Sequence, residues 1–332
     1  MKRAYLRRAN MHKMRIETTM KHKIILDTDP GIDDAMAIFF AFQSPDIEVV
    51  GLTTVFGNVP ATMAAKNALS LCELAEVDIP VCKGVAMPWV GPESKYAHFV
   101  HGDDGFGNIN HPAPVGKIDP RSSAEFIVEM ARKYPGEITI VAVGPLGNLA
   151  LALRLEPDLP KLVKAVNIMG GAAFVPGNVT PVAEANIWND AYAAEIVLGA
   201  DWTLNMFGLD VTYDLPFAPN FTHILAQKNP ILGGFVEKAA KFYMDFYSAG
   251  KETRQCYFHD AFPLAYIVDP TLFEMTEGNI RVSTDKLNQG QTSFAPHGST
   301  MSPDWLEAAS INVATAVDHP RLTELFVNRY AL

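Results

Sequence analysis

Four aspartates, Asp27, Asp29, Asp33 and Asp34, fall within eight residues of a 332-residue chain. They follow the apolar run Ile24-Ile25-Leu26, in the segment Asp27-Thr28-Asp29-Pro30-Gly31-Ile32-Asp33-Asp34-Ala35. Carboxylates this crowded repel one another, so a folded chain tolerates them only where a cation or substrate hydroxyls compensate the charge. Pro30-Gly31 suits a tight turn, and acids that open a helix suit its positive dipole end. A helix cap would account for one of these acids, not for four. Oxygen-only donors select a hard cation, Ca2+ or Mg2+. An EF-hand loop counted from Asp27 would need a carboxylate at its twelfth position, which is Ile38, so that reading fails. A D-x-D opening also suits an aspartyl-phosphate phosphatase. That chemistry has no use for the second acid pair, and its downstream Lys and acidic pair are not evident here; it stands as the runner-up.

Such a cluster needs a scaffold. Short apolar, β-branched runs alternate along the chain with helical patterns. Residues 24–26 precede a helical stretch at 33–42, and residues 47–55 (IEVVGLTTV) precede another at 61–75. Residues 138–143 (ITIVAV) precede 146–155, and 165–169 precede a Gly pair and then 191–198. This alternation predicts an α/β fold, a single domain with a mostly parallel, Rossmann-like open sheet flanked by helices. Ligands in such sheets gather outside the carboxyl ends of the strands. The chemistry is therefore expected just after Leu26, Val55, Val143 and Met169. Segments 88–120 and 216–257, rich in Gly, Pro and aromatics, read as long loops or excursions that carry part of the site.

Hydrophobic residues make up 48% and charged residues 19% of the chain, as in a core-rich globular protein. The net charge of −10 argues against nucleic-acid binding, which needs a concentrated basic face. The first twenty residues carry six Lys/Arg against the single acid Glu17, so this segment is +5 and the remainder −15. Residues 1–19 are expected to form a disordered basic leader, with an organellar presequence as the alternative, and residues 20–332 the folded domain. No apolar run is long enough to span a membrane. Cys72, Cys82 and Cys256 are widely spaced, an odd set that favours a reducing cytoplasm, with Cys72 and Cys82 as core residues.

The segment 27–35 resembles the amino-terminal signature of the inosine-uridine-preferring nucleoside hydrolases. Further stretches follow in that family's order: Phe56-Gly57-Asn58, His101-Gly102-Asp103, residues 144–150 (GPLGNLA), Met169-Gly170-Gly171, Gly177-Asn178, Glu184-Ala185-Asn186 and His259-Asp260. The resemblance covers nearly the whole chain from Met20. It implies hydrolysis of the N-glycosidic bond of a nucleoside, releasing ribose and a free purine or pyrimidine base. It implies one Ca2+ per subunit held by Asp29, Asp34, Asp260 and the backbone carbonyl of Val143, with the ribose diol and a water completing the shell. Homodimers or homotetramers are also implied.

Roles follow from the same resemblance. Asp29 is the expected general base and His259 the general acid, while Asp33 bonds the 2′-hydroxyl. Asn58, Asn178, Glu184 and Asn186 form the ribose clamp, and the sulfur of Met169 packs near the sugar. His101 is expected to line the same pocket, although a lone histidine is as readily a satisfied core residue. Gly147 departs from a frequent Thr, a packing matter, and Ala185 from a frequent Phe, which bears on base preference. Tyr243, Phe246, Tyr247 and Tyr257 either stack on the base or form the apolar face of a helix. Two other functions compete: the phosphatase above, and a noncatalytic ribose-binding protein, which would have no need of the base and acid.

Overall fold

A computed structural model describes residues 21–91, 95–250 and 252–331. The leader expected over residues 1–19 lies outside the described residues. Ten strands form one sheet in the order β4-β3-β2-β1-β5-β6-β7-β10-β8-β9. They are β1 His22–Thr28, β2 Ile47–Thr54, β3 Val81–Lys83, β4 Asp119–Ser122, β5 Thr139–Ala142, β6 Ala165–Met169, β7 Leu204–Phe207, β8 Phe273–Val282, β9 Thr292–Pro296 and β10 Ser310–Val317. All neighbours from β4 through β10 pair in parallel; β8 and β9 add an antiparallel edge. The expected α/β domain with a mostly parallel open sheet is the one observed.

The central strands are apolar on both faces because both are covered. In β1, Ile24 and Leu26 enter one core and Ile25 the other; in β5, Val141 enters the first and Ile140 and Ala142 the second. This two-residue alternation is the pleat itself. Helices Ile32–Gln43, Ala61–Leu74 and Leu232–Tyr247 contribute to the first core. Helices Ser123–Lys133, Gly147–Leu155 and Ala191–Leu198 contribute to the second. All three cysteines are buried and unpaired. Among the described residues, no helix is long and apolar enough to cross a membrane.

Two expectations need correction. The segment 216–257 is not a loop: it folds largely into helices Pro219–Lys228 and Leu232–Tyr247, because packing of their apolar faces onto the core outweighs the Gly and Pro content. The first strand runs past Leu26 to Thr28, so Asp27 is a strand residue, wholly buried, rather than part of the tip. From β1 the chain winds outward to β4, then returns to start β5 on the other side of β1. That reversal makes the gap between β1 and β5 the topological switch point, where open α/β sheets place their ligands.

Candidate active site

The acids sit at this switch point. Beyond β1, Pro30-Gly31 turns the chain into the Ile32–Gln43 helix, with Asp33 and Asp34 in its first turn. Asp34 accepts from the backbone N–H of Gly31 at 2.9 Å and of Asp29 at 3.2 Å, from the Thr28 hydroxyl, and from Asn58 Nδ2 at 3.1 Å. Its reach back to Gly31 is a capping interaction, so the cap reading holds for one acid of the four. Asp29 Oδ2 accepts from the Asn58 N–H at 2.6 Å, while Asp29 Oδ1 is buried with no hydrogen-bond donor. Asp33 Oδ2 accepts from Tyr243 Oη at 3.1 Å, and Asp33 Oδ1 is likewise buried and orphaned.

Asp260 arrives from far along the chain, in the short 3-10 turn His259–Ala261. Oxygens of Asp33, Asp34 and Asp260 lie within 4.8 Å of one another. Asp29 stands outside that tightest trio, beside Asp34, and its charge still bears on Asp260. Burial, then the charge of Asp34, pushes Asp33 up to about 8. Burial and neighbouring carboxylates likewise hold Asp29 and Asp260 well above the usual range. Burial and like charge are the causes, and a cation among these carboxyls would offset both. Orphaned, buried carboxyl oxygens are a donor set that fits a hard divalent cation.

A cavity of about 890 Å³, counting its open mouth, lies over this cluster. Of the expected site residues, Asp33, Asn58, His101, Val143, Met169, Asn178, Glu184, Asn186, His259 and Asp260 all line it, whereas Asp29 and Asp34 lie in the layer beneath. Asn186 Nδ2 donates to the carbonyls of Val143 at 2.9 Å and Met169 at 3.2 Å. Glu184 caps the Ala185–Asn189 helix, accepting from Asn186 and Ile187 N–H groups, and also from Gly171 N–H at 3.0 Å. Asn178 Oδ1 accepts from Ala185 N–H at 3.0 Å. These side chains are thus held by the backbone before any ligand arrives. Gly147 has a packing explanation: a Cβ there would stand 2.6 Å from a Val85 methyl carbon. Ala185 lines the cavity.

Both histidines are wall residues. His101 Nδ1 accepts from the Ile32 N–H at 3.2 Å, and its ring packs 5.2 Å from that of Tyr243. His259 bonds Thr212 Oγ1 through Nδ1 at 2.7 Å and Tyr247 Oη through Nε2 at 3.1 Å. Burial pushes His259 down to about 3; burial, then the charge of His259, does the same to His101. Sequence reasoning missed Thr212, Tyr213 and Phe99 and left Tyr243 and Tyr247 open. Tyr243 turns out to be both core and site, buried in the helix face and bonded to Asp33. Its four-residue spacing from Tyr247 put both on one helical face, which was the available signal.

Asp29 is walled by glycines. A Cβ at Gly57 would lie 2.0 Å from Asp29 Oδ2, and one at Gly144 would lie 2.7 Å from Oδ1. Gly57→Ala must displace Asp29 or the Asn58 loop, and a misplacement of about 1 Å costs on the order of 10²-fold in rate. We expect that loss in kcat/KM by steady-state assay; a variant within threefold of the parent would contradict this placement.

Among the described residues lining the cavity there is no Lys or Arg. Carboxylates below, amides around and aromatic walls above, at the switch point of an α/β sheet, suit a small polyhydroxylated molecule with a flat face. Residues 24–324 match the family model described as inosine-uridine preferring nucleoside hydrolase. A protein of Arabidopsis thaliana named probable uridine nucleosidase 2 is 41% identical over 313 residues, covering 93% of this chain and 97% of its own. The inosine-uridine preferring nucleoside hydrolase of Leishmania major is 37% identical over 256 residues, 76% of this chain and 81% of its own. The solved structure of a plant nucleoside hydrolase matches with a TM-score of 0.89 at 37% identity, covering 93% of this chain and 99% of that one. The chain belongs to the inosine-uridine preferring nucleoside hydrolase family, and it is an enzyme that hydrolyses the N-glycosidic bond of ribonucleosides.

Proposed function

We propose that this enzyme is calcium-dependent, acts on both purine and pyrimidine ribonucleosides, and uses Asp29 as general base and His259 with Tyr247 as the proton donor to the leaving base. The observation that carries this reading is the set of buried carboxylate oxygens under the cavity, two of them without any protein donor. Asp29, Asp34 and Asp260, with the Val143 carbonyl, would hold the ion, and Asp33 would turn to the sugar. Bound Ca2+ supplies charge compensation, grips hydroxyls and makes a neighbouring water more acidic.

The chain's own groups do the rest. Asp29 Oδ1, free of donors, accepts the proton of the attacking water. Asn58, Asn178, Glu184 and Asn186 orient the ribose, and the surrounding carboxylates stabilise the positive charge that builds on its ring. Met169 packs against the sugar, and His101 closes the wall beside it. Burial keeps His259 neutral, so the proton it gives is its single N–H, and the Thr212 and Tyr247 hydroxyls on its two nitrogens can return one as it leaves. The phosphatase alternative draws no support from the family to which the chain belongs. A cytoplasmic homodimer or homotetramer completes the proposal, supported by family membership and by the unpaired cysteines.

The base end of the cavity is walled by Phe99, Tyr213, Phe246 and Tyr247, faces that stack on any base. Phe99 is 69% exposed and touches Phe246 at a ring separation of 5.7 Å across the mouth. Phe99→Ala is expected to raise KM for inosine and uridine about tenfold with little change in kcat, since stacking contributes about 1–3 kcal/mol per base. The decisive assay is ribose release from inosine and uridine alongside phosphate release from a phosphate ester. Turnover of only one nucleoside would defeat the broad base preference. Turnover of the ester alone would defeat the whole proposal.

A further inference from the structure

Asn148, in the first turn of the Gly147–Leu155 helix, is wholly buried and makes no contact with the cavity, yet every polar atom of its side chain is used. Its Nδ2 donates to Asp27 Oδ1 at 2.8 Å and to the Thr54 carbonyl at 2.9 Å; its Oδ1 accepts from the Val85 N–H at 3.0 Å. One amide thus joins the carboxyl ends of β1 and β2, the segment after β3, and the helix that follows β5. The same places support the acidic cluster. Asp27 is two residues before Asp29, and the Val143 N–H is bonded to the Asp27 carbonyl at 2.8 Å. Val55 N–H donates to the Thr28 carbonyl at 3.1 Å and Phe56 N–H to the Val85 carbonyl at 3.2 Å, which hangs the Asn58 loop from β1 and from Val85. Asn58 in turn donates to Asp29 and Asp34.

We infer that Asn148 is a positioning residue for the cation site: it sets the separation of the strand tips that carry Asp29, Asn58 and Val143. The packing leaves the amide one location, since a Cβ on Gly84 would stand 2.0 Å from Asn148 Oδ1 and 2.4 Å from the Thr54 carbonyl. Thr53 Oγ1 also bonds Asp27 Oδ1, at 2.6 Å, but from β2 alone. Asn148 reaches Asp27 from the other side of the switch point, on the helix that follows β5. Groups that orient ligands from behind typically alter metal affinity by about 10–100-fold.

This inference rests on the calcium reading, and its test separates the two. Calcium binding is measured by isothermal titration calorimetry on the chelator-treated full chain, for the parent, Asn148→Ala and Asn148→Ser, with melting temperatures recorded in chelator. The expected result is a calcium Kd weakened at least tenfold in Asn148→Ala, with an intermediate value in Asn148→Ser, which retains a donor and an acceptor. A purely structural role would lower the melting temperature of both variants and leave the Kd within twofold of the parent; that outcome overturns the assignment, as does failure of both variants to fold. If only the alanine variant fails to fold, the serine variant decides by the same criterion. Absence of calcium binding in the parent would sink the metal reading, and this inference with it.

Discussion

Asp29→Asn is expected to lower kcat by on the order of 10³-fold, within the 10²–10⁴-fold that general-base catalysis contributes. The substitution is nearly isosteric, and the amide oxygen can keep the bond from the Asn58 N–H that Oδ2 now accepts. What it removes is the proton acceptor at Oδ1 and one negative charge. Stability should move the other way. Burial first, then the charge of Asp34, makes ionised Asp29 unfavourable, so its neutral replacement relieves repulsion in the chelated protein. A variant that is more stable in chelator and almost inactive in calcium is the signature of a site residue held at the expense of the fold. The checks are ribose release at saturating nucleoside and a thermal melt in chelator. A kcat within tenfold of the parent would remove Asp29 from the base role.

Chelation should abolish ribose release, calcium should restore it, and the melt should follow. A ligand present at 100 times its Kd stabilises the fold by about 2.7 kcal/mol, which for a chain of this size raises the melting temperature by about 4 °C. The pH dependence has a definite sign. Burial pushes Asp27 up to about 7, and burial with the charge of Asp34 pushes Asp33 up to about 8. A carboxyl whose folded value lies above its unfolded value near 4 stabilises the fold fully below that range, and the contribution is lost as pH rises through the folded value. The chelated protein should therefore melt lower at pH 8 than at pH 6, and calcium should flatten the difference by favouring the ionised forms. Melting curves at both pH values, with chelator and with calcium, give the answer. Coincident curves at pH 8 would show that no cation belongs in the cluster.

Much of this site was legible because its chemistry is concentrated in short segments. Asp27, Asp29, Asp33 and Asp34 announce themselves by repulsion alone, and the apolar runs at 24–26 and 138–143 announce a buried parallel sheet. The helix Leu232–Tyr247 was harder, since its Gly233-Gly234 pair and neighbouring prolines resemble loop composition while its helix is made by packing Phe235, Val236, Ala239 and Tyr243 onto the core. Tyr243 illustrates the limit of pattern: helical spacing puts it on an apolar face, but only contact across 210 residues of chain gives its hydroxyl a partner in Asp33.

Local sequence alone determined the α/β class, the strand whose tip bears the acids, and the residue types from which a cation and sugar site could be made, because periodicity and charge density act over a few residues. Tertiary structure alone decided that Asp260 meets Asp33 and Asp34 within 4.8 Å, that Asp29 Oδ1 and Asp33 Oδ1 have no donor, and that Asn148 ties the strand tips together. Those facts depend on which remote groups the packed sheet brings within a few ångströms, and on the removal of water that makes an unpaired carboxylate costly. Neither is a property of any stretch of chain taken by itself.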